Sequence, residues 1–430
     1  MITNRTTILS LVALSLVAAP AAAQQTTRKL AFVIPTLYGP NGLQLTNPDH
    51  QAHFNSDFQA NFGPLNAAFA AQITSLPLPS PASGFTYSFD PTLGVYERSA
   101  ASFGPILAER AETIGKDKMY FGFAFQQFGF DQLDELSTGR IPSVFRHIPT
   151  ENPAFGQDII TTNNSIDIQL QQTTMFFTYG VTDDIDVSFA VPFVNASMTV
   201  VSNATVQRIG TAGDPTLPHT FGLPPRDLVE QRFENSGEAS GLGDVTVRVK
   251  GTVLEDERFG LAFGLDTRAP TGDEFNYLGS GAYGIKPFAA LSLKTGRVSP
   301  HFNLAYQWNG DSLLAGDIVN GVEGSLPNQL SLAYGFDAGL TEKFSVAFDI
   351  LSQQLADAQR IRLEPFTAAN GQVFENTAFF EDSLWMHNAA AGFKVNVARS
   401  LLLNFNLLFK LNDGGLRDKV TPLIGLSYTL

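Results

Sequence analysis

Alternation of apolar and polar residues with a period of two recurs twelve times after residue 117, and it constrains the fold more than any other feature of the sequence. In the fourth segment Val245, Val247 and Val249 share one face, whereas Thr246 and Arg248 share the other. Because side chains alternate across a strand, each segment has one apolar and one polar face. The twelve segments are residues 117–130, 165–180, 184–199, 242–254, 258–268, 282–295, 298–309, 327–340, 343–355, 383–397, 400–412 and 418–430.

The connections between these segments separate a membrane barrel from a soluble sandwich, which would also alternate. Connections after the even-numbered segments are tight turns, and most of those after the odd-numbered segments are long. The long ones are residues 131–164, 200–241, 269–281, 310–326 and 356–382, and the short exception is 413–417. Short turns at one end and long loops at the other are typical of outer-membrane barrels, with the turns in the periplasm. The sequence therefore predicts an all-β fold: a transmembrane antiparallel β-barrel of about twelve strands over residues 117–430.

The first 23 residues have the features of a secretory signal peptide. Arg5 precedes the apolar run Ile8–Ala19, which is shorter than the ~20 residues that span a bilayer, and three alanines end at Ala23. We expect cleavage near Ala23, export, and residence in a bacterial outer membrane with lipid as its surroundings.

The last strand resembles the C-terminal signal by which outer-membrane barrels are delivered to the barrel assembly machinery. Gly425 is followed by an aromatic residue, Tyr428, and by a large apolar terminal residue, Leu430. The signal usually ends in Phe, and Leu423 stands where a polar residue is usual, so a simple closing strand is the alternative.

Residues 24–116 do not alternate and are rich in Pro, Asn, Gln and Ala. Proline is favoured in the first turn of a helix, so Pro64 and Pro105 predict short helices at Asn66–Ile73 and Ile106–Ile114. This N-terminal segment can plug the lumen, hang in the periplasm or lie along the rim. Its attachment beside the periplasmic mouth favours the plug.

Composition narrows the class of protein further. Charged residues make up 16%, against ~25% in typical soluble domains. The net charge of −14 argues against nucleic-acid binding, which needs a basic patch. There is no cysteine.

Charged and polar side chains on the polar faces are candidates for lining the lumen. A charge facing lipid near the midplane costs ~2–4 kcal/mol, so these residues must face inward. They form either a network of ion pairs that stiffens the barrel or a polar eyelet that selects solutes. The candidates are Asp244, Arg248, Lys250, Asp266, Arg268, Lys286, His301, Asn303, Asp337, Asp349 and Lys410.

The sequence predicts no catalytic, metal or cofactor site. Ser299, His301 and Asn303 share one face, but this spacing follows from the strand period and no catalytic glycine elbow accompanies it. His50 and His53 lack the third ligand that a metal site needs.

Residues 240–310 resemble a bacterial outer-membrane family described as a putative transporter of the phenol-degradation meta-pathway. The resemblance rests on Ser240–Val245, Ala269–Asp273, Leu278–Gly281 and His301–Trp308. The resemblance implies an architecture related to that of the fatty-acid and aromatic-hydrocarbon channels. The loop motif within it comprises Pro270, Thr271, Gly272 and Asp273. Its residues suit a turn, in which Gly272 can adopt a positive φ, although a role in gating a ligand is the alternative.

Three hypotheses for function follow. The first is a channel for passive uptake of small, apolar or aromatic solutes. The second is a structural or surface-binding barrel with a blocked lumen and functional loops. The third, a membrane enzyme that uses His301, is the weakest because no nucleophile is indicated.

Overall fold

A computed structural model shows how the chain folds. It describes residues 29–47, 51–56, 62–80, 87–90, 95–98, 102–148, 155–211, 219–223, 225–398 and 400–430. The predicted signal peptide, residues 1–23, and His50 lie outside the described residues.

Twelve antiparallel strands form a closed barrel, as the alternation predicted. The seam is formed by the first and last strands, in which Leu423 to Thr429 pair with Gln126 to Tyr120. The strands are β1 (Met119–Leu133), β2 (Ile159–Gly180), β3 (Ile185–Gln207), β4 (Val245–Glu255), β5 (Phe259–Ala269), β6 (Gly284–Leu293), β7 (Val298–Asn309), β8 (Gln329–Thr341), β9 (Phe344–Leu363), β10 (Thr377–Ala398), β11 (Leu401–Lys410) and β12 (Val420–Thr429).

The two faces of the barrel wall differ in polarity. Large apolar side chains project outward, such as Phe123 and Phe263, which are 48% and 53% exposed. Charged side chains project inward, such as Lys250 and Asp349, which are 1% and 0% exposed. An apolar exterior around a polar interior is the arrangement of a lipid-embedded barrel.

The connections sort by length as predicted. Tight turns join β2 to β3, β4 to β5, β6 to β7, β8 to β9 and β10 to β11, and we call that end of the barrel the turn end. The opposite, loop end carries additional short strands. These are Leu136–Ser137, Ile141–His147, Glu230–Leu242, Asp311–Asp317, Val322–Ser325, Phe366–Thr367, Val373–Phe374 and Leu416–Asp418.

One of these additional strands extends the wall. Glu230–Leu242 pairs with the loop-end half of β3, and β4 continues along the same partner after a break at Gly243. Because β2 and β3 are longer than β5, β6 and β7, the barrel wall extends further from the turn end on the side of β2 and β3.

The N-terminal segment contains one α-helix, α1 (Phe62–Ser75), which includes the predicted helix at 66–73. The predicted helix at 106–114 is wrong, because that stretch is irregular. Its backbone groups bond instead to side chains of the barrel wall, as described below. The segment's other elements are the strands Phe54–Asn55, Tyr87–Asp90 and Val95–Arg98 and the 3₁₀ turn Leu30–Phe32; further 3₁₀ turns are Phe155–Gln157 and Glu274–Asn276.

Residues of the N-terminal segment form an apolar core with the loop end of the wall. Leu30, Tyr38 and Phe69 are buried there among residues of β1 to β3 and the loops. The Tyr38 hydroxyl lies 2.9 Å from the Ser202 hydroxyl, and Phe69 packs edge-on against Tyr277. Within the described ranges, no helix has the length and apolarity needed to cross a membrane.

Candidate functional site

A charge cluster lies on the inner wall across β4, β5 and β6, and it contains several of the predicted lumen-lining residues. The Arg248 guanidinium makes two hydrogen bonds to Asp266, Nε to Oδ1 at 2.6 Å and Nη2 to Oδ2 at 2.8 Å. Lys286 Nζ lies 3.0 Å from Asp266 Oδ2. The strand register explains the cluster, because Asp266 is directly opposite both Arg248 and Lys286.

Residues 102–115, which we call the crossing segment, traverse the interior near the turn end. Lys394 Nζ on β10 donates to the carbonyl oxygens of Phe103 and Pro105, at 2.9 and 2.6 Å. On the opposite side of the barrel, the backbone N–H of Ile114 donates to Asp186 on β3 at 3.0 Å. The crossing segment therefore contacts both sides of the inner wall.

The middle of the crossing segment joins the charge cluster. Glu109 forms an ion pair with Arg248, and Lys250 donates to the carbonyl oxygens of Arg110 and Glu112 at 3.2 and 2.8 Å. Asn303 on β7 makes two hydrogen bonds to the backbone of Glu109, at 2.7 and 2.8 Å. These contacts satisfy buried backbone groups that would otherwise require regular secondary structure.

His301 lies in a second buried group, between two aspartates. Its Nε2 is 2.5 Å from Asp349 Oδ1, and its Nδ1 is 3.5 Å from Asp337 Oδ1. The Ser102 hydroxyl of the crossing segment donates to Asp337. Both imidazole nitrogens therefore face carboxylates, and the interaction extends to the crossing segment.

The loop motif lies around Asp244, at the loop end of β4. Asp244 accepts hydrogen bonds from the backbone N–H groups of Gly272 and Ser280, at 3.1 and 2.8 Å, and from the Ser280 hydroxyl. The Thr271 hydroxyl donates to the carbonyl of Gly243 at 2.6 Å. Three sequence motifs that are well separated in the chain thus meet at one carboxylate.

The predicted reason for Gly272 is wrong, because its φ is not positive. A Cβ at Gly272 would lie 2.7 Å from the Cα of Gly279, and one at Gly279 would lie 2.2 Å from Asp244 Oδ1. The two glycines are therefore required by close packing. Asp273 pairs with Lys29 of the N-terminal segment, and Pro270 begins the motif directly after β5 ends at Ala269.

Lys410 is the sequence candidate that lies apart from these groups. It contacts Gln132 and Asp413 near the loop end. Arg268 is close to the charge cluster, where its Nη2 donates to Asn309 at 2.8 Å and its Nε is 3.7 Å from Asp244.

A cavity of about 230 Å³ lies between the crossing segment and the residues that follow α1. Its polar wall includes Arg268, Lys286 and Asn303, and its apolar wall includes Phe176 and Phe288. The cavity, which we call the chamber, is therefore lined by two parts of the N-terminal segment as well as by the barrel wall. Within the part of the chain that the structure describes, no three His, Asp or Glu side chains are grouped to hold a metal ion.

Sequence reasoning missed Glu109 and Lys394 as partners within this site. Lys394 lies on the polar face of an alternating segment, and this was the available signal. Glu109 lies outside the alternating region, and no pattern there indicated a contact with the wall.

A family model described as "Putative MetA-pathway of phenol degradation" matches residues 152–374, just over half of the chain. No curated protein matches the chain.

Three solved structures resemble the fold. An outer-membrane channel from Pseudomonas putida F1 is 12% identical over 75% of this chain and 99% of its own, with a TM-score of 0.44. The toluene transporter TbuX from Ralstonia pickettii is 11% identical over 74% and 92%, with a TM-score of 0.29. The toluene transporter TodX from Pseudomonas putida is 9% identical over 82% and 96%, with a TM-score of 0.27. These likenesses are too distant to carry a function to this chain.

Proposed function

This chain belongs to the family described as a "Putative MetA-pathway of phenol degradation", and on that basis we propose that it is an outer-membrane channel for passive uptake of small, apolar or aromatic solutes. The observation that carries the proposal is a closed barrel with an apolar exterior, a polar inner wall and an internal chamber. Such a wall encloses a path across the membrane that is separate from the surrounding lipid.

The proposed orientation places the turn end in the periplasm and the loop end outside the cell. The signal-peptide features of residues 1–23 support export to that membrane. The C-terminal strand β12, which forms the seam with β1, is the proposed point of contact with the barrel assembly machinery. The outward apolar side chains then contact outer-membrane lipid.

We propose that the N-terminal segment plugs the lumen. The contacts of Lys394 and Lys250 with the crossing segment support this role at the turn end, and the packing of α1 supports it at the loop end. Entry and exit of a solute then require the crossing segment or the residues around α1 to move. The chamber of about 230 Å³ limits the solute to a small molecule.

A structural or surface-binding barrel with a blocked lumen is the second candidate. It is favoured by the apolar core that the N-terminal segment forms with the loops, since this core closes the loop end firmly. The two candidates differ in whether the chamber exchanges with bulk solvent.

Conductance of the purified barrel in planar bilayers tests the channel directly. Because the chain has no cysteine, Ser331→Cys in the chamber wall adds a unique thiol for a charged, membrane-impermeant reagent. The exposed position Ser325→Cys is the matched control that must react in either case. A channel gives discrete conductance steps and labelling at position 331. Absence of both, with position 325 fully labelled, would reject the channel in favour of a blocked barrel.

A further inference from the structure

The charged groups in the chamber wall indicate which kind of ligand the chamber favours, once each group is matched with its partners in the protein. Three carboxylates line it, and each has a cation within 4 Å. Asp266 has Arg248 and Lys286, Glu109 has Arg248 and Lys250, and Asp244 has Arg268. The carboxylates are therefore already compensated by the protein.

Two of the cations are only partly used. Lys286 has three N–H donors, of which one bonds to Asp266, and its side chain is 32% exposed. Arg268 uses Nη2 for Asn309 and, at 3.5 Å, for the carbonyl of Ala282, whereas its buried Nε has no hydrogen bond and lies 3.7 Å from Asp244. By contrast, Arg248 is engaged through three nitrogens. Donor capacity directed at the chamber is thus concentrated on Lys286 and Arg268.

These two cations are neighbours on adjacent strands. Asp266 pairs with Lys286 and Arg268 pairs with Gly284 in the register of β5 and β6, so the two cations are diagonal neighbours on one face. Among the residues that line the chamber, the three cations Arg248, Arg268 and Lys286 are balanced by the three carboxylates Glu109, Asp244 and Asp266. An anionic ligand is therefore recognised by the donors that Lys286 and Arg268 do not use, and not by an excess of positive charge.

Apolar side chains also line the chamber, and one of them, Phe288, is on β6 beside the charge cluster, with the Arg248 guanidinium 4.7 Å from its ring centroid. The others include Leu107 of the crossing segment, Phe176 and Leu351. An apolar cavity of roughly 150 Å³ is known to hold benzene. A volume of about 230 Å³ therefore accommodates one ring with a substituent.

We propose that the chamber binds a small single-ring carboxylate, with the anion at Lys286 and Arg268 and the ring against Phe288 and Phe176. This assignment rests on the proposed channel function and specifies its substrate class. A carboxylate accepts charge-assisted hydrogen bonds from both cations, which a neutral hydrocarbon cannot do. The site then discriminates by charge as well as by size.

Equilibrium binding tests the assignment without requiring passage through the barrel. Fluorine NMR of 4-fluorobenzoate with the purified protein in detergent measures saturable binding, with protein-free micelles as the blank. The comparison probes are 4-fluorotoluene, 4-fluorophenol and 4-fluorobenzylamine, which keep the ring and change the polar group. We expect 4-fluorobenzoate to bind most tightly and 4-fluorobenzylamine most weakly.

Charge-removing variants locate the site. Lys286→Gln is expected to weaken 4-fluorobenzoate binding about tenfold, since a hydrogen bond to a charged group contributes about that factor. Lys286→Gln with Arg268→Gln is expected to weaken it about a hundredfold, while Lys286→Arg retains most of it. The matched control is Lys410→Gln, an inward-facing lysine outside the chamber, which leaves binding unchanged.

Specific outcomes overturn the proposal. These are equal affinity for 4-fluorotoluene or 4-fluorophenol, undiminished 4-fluorobenzoate binding in folded Lys286→Gln, and no saturable binding to the folded wild-type protein. If Arg268→Gln fails to fold, Lys286→Gln alone decides, because its side chain is one-third exposed. Carboxylate binding without any bilayer conductance would reject the channel and keep the binding site.

Discussion

Lys394→Met is the substitution that most directly tests whether the crossing segment is held in place by the inner wall. Lys394 is 3% exposed, and its ammonium group donates to the carbonyl oxygens of Phe103 and Pro105. Methionine keeps most of the side-chain length and removes the donors. Both carbonyls then lose this partner while the segment remains docked.

The magnitude follows from those two bonds. A hydrogen bond from a charged donor contributes up to about 3 kcal/mol, so losing both weakens the docked state by about 2–6 kcal/mol. Docking no longer buries an ammonium group, and this relief offsets part of the loss. We therefore expect the lower end, about 2 kcal/mol, which lowers the ratio of docked to undocked segment about 30-fold.

Two measurements check the result. Amide exchange of residues 102–115, followed by mass spectrometry, should accelerate about 30-fold, and bilayer recordings should show more frequent openings. Lys410→Met is the control, since that lysine contacts Gln132 and Asp413 and not the crossing segment. Unchanged exchange would refute the energetic argument. Faster exchange with unchanged conductance would refute the idea that this segment blocks the lumen.

Two further predictions concern the loop end. Gly279→Ala should destabilise the protein by about 1–3 kcal/mol, because the added Cβ would lie 2.2 Å from Asp244 Oδ1; the thermal unfolding midpoint in detergent measures this. Asp158→Asn should reduce the acid sensitivity of unfolding. Burial raises the pKa of Asp158, but hydrogen bonds from His219 and the neighbouring loop outweigh it and hold the pKa below its usual 3.8. The carboxylate's stabilisation is therefore complete above about pH 4 and is lost as the pH falls through the lowered pKa.

Each of these predictions has a matched control. Gly310→Ala introduces a Cβ that meets only ordinary contacts, the nearest at 3.6 Å, so it should leave the midpoint nearly unchanged. Equal midpoints for the two alanine variants would contradict the packing argument. For Asp158, the control is Asp167→Asn, which removes an exposed carboxylate of β2. A wild-type pH profile between 5 and 2 that matches that of Asp158→Asn would show that this carboxylate does not contribute.

The sequence predicted the barrel because lipid imposes a period of two wherever a strand crosses it. It missed the ends of the longest strands, since the wall above the lipid has no reason to be apolar outside. Asn163 on β2 is exposed and polar, and Glu230–Leu242 carries polar residues at most of its exposed positions. Residues 200–207 and 230–241 were therefore assigned to a loop although both belong to strands.

The candidate site was predictable in part for a similar reason. The contact of Arg248 with Asp266 follows from strand order and parity, and the sequence indicated it. The partners supplied by the crossing segment have no such periodicity. Pro105 suggested a helix at 106–114, but side chains of the wall such as Lys250 and Lys394 satisfy this backbone, and only the assembled barrel brings them together.

The seam between β1 and β12 determines the order in which this molecule can be built. Described parts of the N-terminal segment occur at both ends of the interior, since Lys29 pairs with Asp273 at the loop end and Gly115 lies at the turn end. Passing a folded helix through a finished cylinder would require that cylinder to widen. We expect the wall instead to close around the N-terminal segment at this seam, which would make the segment a template for assembly.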